Sequence, residues 1–568
     1  MNMKKRLICI LLSISLFLTG CSKIIIPTNA NAAFENFTYS LFQQEVTSNT
    51  INLHYSLQDP NKYGITETPI TLGSFTIDKA SALASIENLE AALRKFSYQS
   101  LSEENQLTYD ILTDYLNNKK ISIDYQLYDE PLSPITGIHA QLPVLLAEYQ
   151  FQNQEDVDTY LALLKTLPDY FSSLARFEEH KSEAGLFMCD SLAEEVIAQC
   201  NAFVSMGNDN YLLSTFEERL QNIPNLSEKQ RTNYLQENTD VLASSILPAY
   251  ESLSLSIASL KGTGKNQNGL CALPKGEAYY EHLVKTETGS RRTMAEIKTL
   301  IYNQISTDLL QYQQILRNNP AILEETDSIK EMPETILNNL KHKISDSFPD
   351  TVSVNVEVKY VPSALEEYLS PAFYLIPAID NFKENTIYIN QAHSFSNVDL
   401  FTTLAHEGYP GHLYQTIFYA NTDPDPLRTI LNYTGYVEGW ATYAEMCSYY
   451  ISPLSKPNAT FLQKNNSLIL GLYAAADLGI HYENWSLDDT ISFFQSYGIN
   501  SEETIQEIYK YIAGDPANYI TYYLGYLEIL ELQKDILKKE GSNFNQKAFH
   551  QRLLELGPAP FDIIQKHY

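Results

Sequence analysis

Cysteine is scarce in this chain, which has six cysteines in 568 residues. Two of them lie within the first 21 residues, and the other four are scattered without the close pairs of a thiolate metal site. These four are Cys189, Cys200, Cys271 and Cys447. A disulfide between Cys189 and Cys200 is compatible with their separation, but we expect all four to be buried free thiols. Cysteine therefore supplies no candidate metal centre.

Basic residues are also few, because 39 Lys and Arg stand against 69 Asp and Glu, for a formal net charge of −30. Such an acidic protein repels nucleic acid and anionic lipid headgroups, so we expect neither as a partner. The 24 Phe and 40 Tyr residues supply enough apolar and amphipathic surface for a large core. The composition therefore excludes an intrinsically disordered protein.

The sequence also lacks internal repeats of fixed period and a convincing interdomain linker. At ~150 residues per domain, its length would correspond to three or four domains. Because no linker divides the chain, we predict one continuous, mainly α-helical domain with two lobes. Residues 36–270 form the N-terminal helical lobe, where apolar residues recur at three- and four-residue intervals and Ser102 and Ser227 mark helix starts. Residues 271–568 form the catalytic lobe.

The N-terminal apolar run, residues 7–18, is too short for a comfortable membrane span. It follows Lys4, Lys5 and Arg6, and together they are typical of a signal peptide over residues 1–20. Leu18-Thr19-Gly20-Cys21 resembles a bacterial lipobox, with cleavage before Cys21 and lipid on its thiol; the alternative is an ordinary secretory signal. We expect an exported lipoprotein on the outer face of the cell membrane, anchored through Cys21, with residues 21–35 as a tether.

Strand patterns are rare and occur just before the candidate site. Residues 352–361 alternate apolar and polar side chains, and residues 385–390 form a second candidate strand. Their edge can pair with an extended peptide, and a plain hairpin is the alternative. Downstream we predict a helix that starts near Ser396, further helices over about 430–450 and 456–482, and a final pair within 516–555.

The stretch Ala405-His406-Glu407-Gly408-Tyr409-Pro410-Gly411-His412 has two imidazoles and a carboxylate next to the first. In the zincin pattern H-E-x-x-H the two His lie four residues apart on one helix face and bind zinc, while the Glu acts as general base. Here six residues separate them, which amounts to about 120° on an ideal helix. Pro410 and Gly411 can kink the helix and return His412 to the metal. The alternative is that His412 only caps the end of a helix.

Downstream, Glu438 and Glu445 lie seven residues apart and share one face of an apolar, aromatic helix. An unpaired carboxylate there would be costly, so a third metal ligand from this helix is expected. The two stretches together resemble the bacterial DUF885 family, with its H-E-x-x-P-G-H motif followed by E-G-W-A-x-Y-A-E. The likeness extends at least over residues 270–560, although Leu413 stands where the family usually repeats a histidine. The resemblance implies a zincin-like helical fold with a small sheet beside the catalytic helix and a cleft between two lobes. It also implies Zn²⁺ on His406, His412 and Glu438, with Glu407 as general base.

Residues farther along have candidate roles in the same site. His481 and Tyr522 lie in stretches that resemble the family and are candidates to stabilise a reaction intermediate. Tyr519 is the alternative to Tyr522, and Asp477 could orient a ligand histidine.

The sequence therefore predicts an exported zinc metallopeptidase that hydrolyses short peptides, because clefts in related helix-rich zincins exclude folded proteins. A different class, a peptide-binding lipoprotein without catalytic activity, is the alternative.

Overall fold

A computed structural model describes residues 29–568 except 135, 265–268, 325–330, 362–365, 367–368, 394–395 and 432. The predicted signal peptide (residues 1–20) and Cys21 lie outside the described residues. The first described helix starts at Ala30, within the predicted tether, and already buries Phe34 completely. Residues 30–35 of the predicted tether are thus helical, and Asn29 caps this helix by accepting a hydrogen bond from the Asn31 N–H.

Helices make up most of the described chain, as predicted. Their bounds are α1 Ala30–Val46, α2 Thr50–Ser56, α3 Lys79–Leu93, α4 Glu103–Ser122, α5 Ile138–Ala147, α6 Gln154–Leu164, α7 Leu167–Glu183, α8 Asp190–Ser205, α9 Tyr211–Gln221, α10 Glu228–Val241, α11 Leu247–Leu260, α12 Gly276–Thr288, α13 Met294–Asn318, α14 Pro333–Lys343, α15 Asn397–Glu407, α16 His412–Ala420, α17 Pro426–Ile430, α18 Thr434–Ile451, α19 Lys456–His481, α20 Leu487–Ser496, α21 Glu502–Gly514, α22 Asn518–Glu540, α23 Gln546–Leu556 and α24 Phe561–His567.

The predicted helix starts are confirmed by side-chain caps. Ser102 accepts a hydrogen bond from the Asn105 N–H, and Ser227 forms a reciprocal pair with Gln230 at the start of α10. In the same way, Ser396 caps the helix that carries His406. The predicted helices over 430–450 and 456–482 correspond to α18 and α19, and the final pair to α22 and α23.

A three-stranded sheet precedes the site, with strands β1 Asn355–Tyr360, β2 Ala372–Leu375 and β3 Glu384–Ile389 in the order β1-β3-β2. The two predicted strands are present as β1 and β3, but they pair in parallel and so do not form a hairpin. The strand β2 was not predicted. It pairs antiparallel with β3 and forms one edge of the sheet.

The sheet lies between two hydrophobic clusters, because its side chains alternate between its faces. Tyr374 and Ile387 face the larger cluster, which contains α1, α3, α4 and the helices from α12 onward. Phe373 and Tyr388 face the smaller cluster, built mainly by α5 to α11. The predicted lobe 36–270 therefore contributes to both clusters.

One helical stretch among the described residues, Glu228–Leu260, is long and apolar enough to cross a membrane. Its apolar residues, among them Leu242, Ile246 and Leu253, pack into the smaller cluster. The core helix of a folded domain meets the same criteria, so this stretch does not by itself indicate a membrane span.

The four cysteines of the described chain are free thiols. Cys200 is buried as expected, whereas Cys189, Cys271 and Cys447 are partly buried.

Candidate metal centre

The two histidines of the first motif lie on different helices. α15 ends at Glu407 and α16 begins at His412, so the helix is interrupted between the two histidines and is not merely kinked at Pro410 and Gly411. The Gly411 N–H donates to the Ala405 carbonyl over 2.9 Å, which folds the segment back on the end of α15. A Cβ at Gly411 would overlap the carbonyl oxygen of His406, so this close approach requires glycine.

The interruption brings the two imidazoles together. The ring centroids of His406 and His412 lie 4.8 Å apart, with an angle of 78° between the ring planes. His406 is buried, and His412 is partly exposed at the start of α16. His412 therefore faces His406 from a second helix.

Glu438, on α18, completes the group. Its Oε2 lies 3.6 Å from His406 Nε2 and 3.4 Å from His412 Nε2. Each of the three side chains offers one ligand atom, and all three atoms lie within 4.8 Å of one another. The Trp440 indole N–H donates to the Pro410 carbonyl over 2.8 Å and so joins α18 to the segment between the histidines.

The arrangement fits a zinc ion. Around tetrahedral zinc with bonds of about 2.0–2.1 Å, neighbouring donor atoms lie roughly 3.4 Å apart. The observed separations from Glu438 are close to this value, and its Oε2 is buried without a hydrogen-bond partner among the described residues. Burial alone would raise the pKa of the Glu438 carboxyl, but the facing imidazoles of His412 and His406 outweigh it and hold the pKa well below its usual range. The donor set thus presents an anion and two nitrogens toward one point.

Glu407 is buried beside this group at the end of α15, and its Oε2 accepts a hydrogen bond from the Tyr374 N–H over 3.0 Å. In the antiparallel pair of β2 and β3, the residues on either side of Tyr374 form the backbone hydrogen bonds to β3. The Tyr374 N–H therefore points away from β3. The outer edge of β2 therefore faces the predicted general base.

A second carboxylate from α18 holds the first histidine. The Nδ1 atom of His406 lies 3.0 Å from Glu445 Oε2, and the other oxygen, Oε1, accepts a hydrogen bond from the Asn466 amide over 2.8 Å. The sequence placed Glu445 on the face of Glu438 but did not predict this contact. The sequence feature that could have indicated this role is the seven-residue spacing, which places Glu445 on the same helix face as Glu438.

Of the two candidate tyrosines, Tyr522 lies at the site. Its ring is nearly parallel to that of His406, with centroids 6.5 Å apart and an interplanar angle of 24°. The helices α22 and α18 approach closely where Gly525 faces Gly439, since a Cβ at either position would overlap the other backbone. The Tyr519 ring instead packs against Tyr473 at 5.2 Å.

The prediction of a catalytic His481 is wrong in this structure, because the backbone occupies both ring nitrogens. Nδ1 accepts from the Leu270 N–H over 3.1 Å, and Nε2 donates to the Ile512 carbonyl over 2.8 Å. Burial lowers the pKa of His481 to about 4, although the bond to the Ile512 carbonyl opposes this shift. His481 is therefore a neutral structural residue that connects distant parts of the chain.

Asp477 also has a structural role and does not orient a ligand histidine. Its carboxylate accepts hydrogen bonds from the Tyr280 hydroxyl over 2.7 Å and from the backbone N–H groups of Ala517, Tyr519 and Ile520. Asp477 therefore caps the N-terminus of α22, the helix that carries Tyr522. In place of Asp477, Glu445 contacts His406, the candidate ligand.

Comparison with known proteins places the chain in a family. No curated protein matches it. Its fold is similar to that of a candidate lipoprotein from Colwellia psychrerythraea, with a TM-score of 0.83 and 18% identity over 95% of this chain and 98% of that chain. A second solved structure, a candidate lipoprotein of unknown function from Shewanella oneidensis, has a TM-score of 0.67 and 16% identity over 94% of this chain and 98% of that chain. Residues 74–567 match the model of a family described as bacterial protein of unknown function, so this chain belongs to the DUF885 family.

Proposed function

We propose that the protein is an exported, lipid-anchored zinc peptidase of zincin type that hydrolyses short peptides. The observation that carries this proposal is the convergence of His406, His412 and Glu438 within 4.8 Å, next to the buried carboxylate of Glu407. Two imidazoles and one carboxylate with an open fourth position are a common ligand set of catalytic zinc.

His406, His412 and Glu438 would hold the zinc ion, whose Lewis acidity would polarise the substrate carbonyl and lower the pKa of a water molecule. Glu407 takes the proton of that water and later delivers it to the leaving amine. The Tyr374 N–H holds Oε2 of the Glu407 carboxylate, so Oε1 is the oxygen that accepts and then donates the proton. Tyr522 donates a hydrogen bond to the carbonyl oxygen as that oxygen gains negative charge.

The position of β2 supports a peptide substrate. Its outer edge faces Glu407, and an extended peptide can add to such an edge through backbone hydrogen bonds. Because this pairing uses the peptide backbone, it depends little on the side chains of the substrate. It requires an extended backbone, which short, unfolded peptides can adopt. A cleft between two lobes, which would exclude folded proteins, is part of the proposal.

The membrane anchor rests on the lipobox at Cys21 and on the names of the two similar structures, both described as candidate lipoproteins. Together they support an enzyme held at the outer face of the cell membrane, where it meets peptides from outside the cell.

Incubation of the purified protein with a mixed peptide library, followed by mass spectrometry of the products, tests the proposal. We expect zinc-dependent cleavage, and a loss of about 10²–10⁴-fold in rate for Glu407→Gln, which leaves the ligands in place. Glu357→Gln, at a side chain of β1 that is 66% exposed, is the matched control and keeps full activity. Tight peptide binding without products would contradict the proposal and favour a peptide-binding lipoprotein.

A further inference from the structure

The Asn466 side chain lies in a chain of contacts that joins three helices at the metal centre. Its Nδ2 donates to Glu445 Oε1 over 2.8 Å, and Glu445 Oε2 lies 3.0 Å from His406 Nδ1. The three residues lie on α19, α18 and α15 in turn. Both oxygens of the Glu445 carboxylate are therefore engaged, one by a candidate metal ligand and one by an amide.

We propose that Asn466 is a positioning residue that acts on His406 through Glu445; this inference rests on the proposed metal centre. A carboxylate accepts the Nδ1–H of a histidine and so leaves Nε2 unprotonated and available to a metal. Glu445 can do this only while its carboxylate keeps the orientation seen here. The hydrogen bond from Asn466 fixes that orientation.

Glu445 lies in a largely buried environment on α18. Its side chain is 11% exposed, and the neighbouring Tyr449 phenol has a pKa raised by burial and by the charges of Glu445 and Asp399, against hydrogen bonds from Thr402 and Asn466. Loss of the Asn466 amide removes a hydrogen bond that holds the Glu445 carboxylate beside His406.

The substitution Asn466→Asp tests this role, because a carboxylate of nearly the same shape cannot donate to Glu445 and repels it. We expect the dissociation constant for zinc, measured by competition with a chelator, to rise about tenfold, within the range found for residues behind metal ligands. Asn465→Asp introduces the same charge one position earlier, about 100° away around α19, and should leave the constant within about twofold.

A double variant separates positioning from simple structural damage. In Glu445→Gln combined with Asn466→Asp, the introduced amide at position 445 donates to the introduced carboxylate and still accepts from His406. Both hydrogen bonds are restored, and only the one between positions 445 and 466 changes direction, so zinc affinity should recover most of the loss. A variant that had only damaged the fold would show no recovery.

Nitrogen chemical shifts of ¹⁵N-labelled histidine give a second readout without metal. In the metal-free wild type we expect His406 to carry its proton on Nδ1, and in Asn466→Asp to exchange between the two ring nitrogens. Unchanged zinc affinity and an unchanged His406 tautomer in Asn466→Asp would overturn the inference. If the wild type bound no zinc, the proposed function would fail, and the tautomer alone would still decide the role of Asn466.

Discussion

Two fully buried histidines of this protein differ in what their ring nitrogens face. His406 directs Nδ1 to Glu445 and Nε2 toward Glu438, whereas His481 directs both nitrogens to backbone groups. A metal ligand needs one unprotonated nitrogen that no other donor occupies. This difference in partners makes His406 a candidate ligand and His481 a structural residue.

His481→Gln should therefore lower stability without removing the metal. The loss of well-placed bonds to Leu270 and Ile512 at a buried site costs on the order of 1–3 kcal/mol in the free energy of unfolding. Denaturant unfolding and metal analysis of the same preparation measure both effects. If the variant had normal stability but lost its zinc, His481 would again be a candidate residue of the metal centre.

The sequence was sufficient to predict the three residues that the structure brings together as a candidate ligand set, but not every neighbour. His406, Glu407 and His412 form one motif, and Glu438 lies in an apolar helix where a carboxylate needs a partner. One partner of His481 is the N–H of Leu270, which lies 211 positions away in the chain. No local pattern predicts such a contact, which is why the predicted role of His481 was wrong.

At the scale of single elements, the interruption between α15 and α16 determines the geometry of the site. The sequence indicated a distortion at Pro410 and Gly411, but only the tertiary contacts show that the chain forms two helices. One of these contacts is the hydrogen bond from Trp440 to the Pro410 carbonyl. The strand β2 was missed for a related reason: its four residues are almost all buried and show no alternation.

Gly411→Ala should weaken zinc binding although it removes no ligand. The added methyl group would overlap the His406 carbonyl oxygen, so α16 and the His412 imidazole must move away. We expect zinc affinity to fall at least tenfold while the helical circular dichroism stays close to that of the wild type. Calorimetric titration with zinc is the measurement. Wild-type affinity would show that the close turn at Gly411 does not set the distance between the histidines.

The N-terminus of α22 gives a prediction about pH. Burial raises the pKa of the Asp477 carboxyl to about 7, although hydrogen bonds from the Tyr280 hydroxyl and from the backbone N–H groups of Ala517 and Ile520 oppose it. The folded state therefore binds this proton more tightly than the unfolded state. The stability that Asp477 contributes is fully present below about pH 4 and is lost as the pH rises through about 7.

Asp477→Asn isolates this effect, because an amide stays neutral over the whole range. The free energy of unfolding of the variant minus that of the wild type should increase between pH 4 and pH 8, by up to about 4 kcal/mol. Denaturant unfolding at several pH values measures it. A difference that did not change with pH would show that Asp477 is not protonated in the folded protein.

At the scale of the whole molecule, the sheet lies between two hydrophobic clusters and presents β2 to the end of α15. The candidate base, the ligands and the strand edge therefore come from segments that one core holds together. The net charge of −30 and the lipobox-like sequence that ends at Cys21 agree with the proposed lipid-anchored protein outside the cell. Helix content and the strands β1 and β3 were predictable from periodicity, whereas the division into clusters depends on contacts between distant helices.

The central claim is that His406, His412 and Glu438 hold one zinc ion. Metal analysis of the purified protein, its His412→Ala variant and the control His180→Ala, at a side chain 56% exposed, tests it most directly. We predict about one zinc per chain in the wild type and the control, and less than about a tenth of that in His412→Ala with its helical fold intact. Substoichiometric zinc in the wild type, or full occupancy in His412→Ala, would contradict the claim.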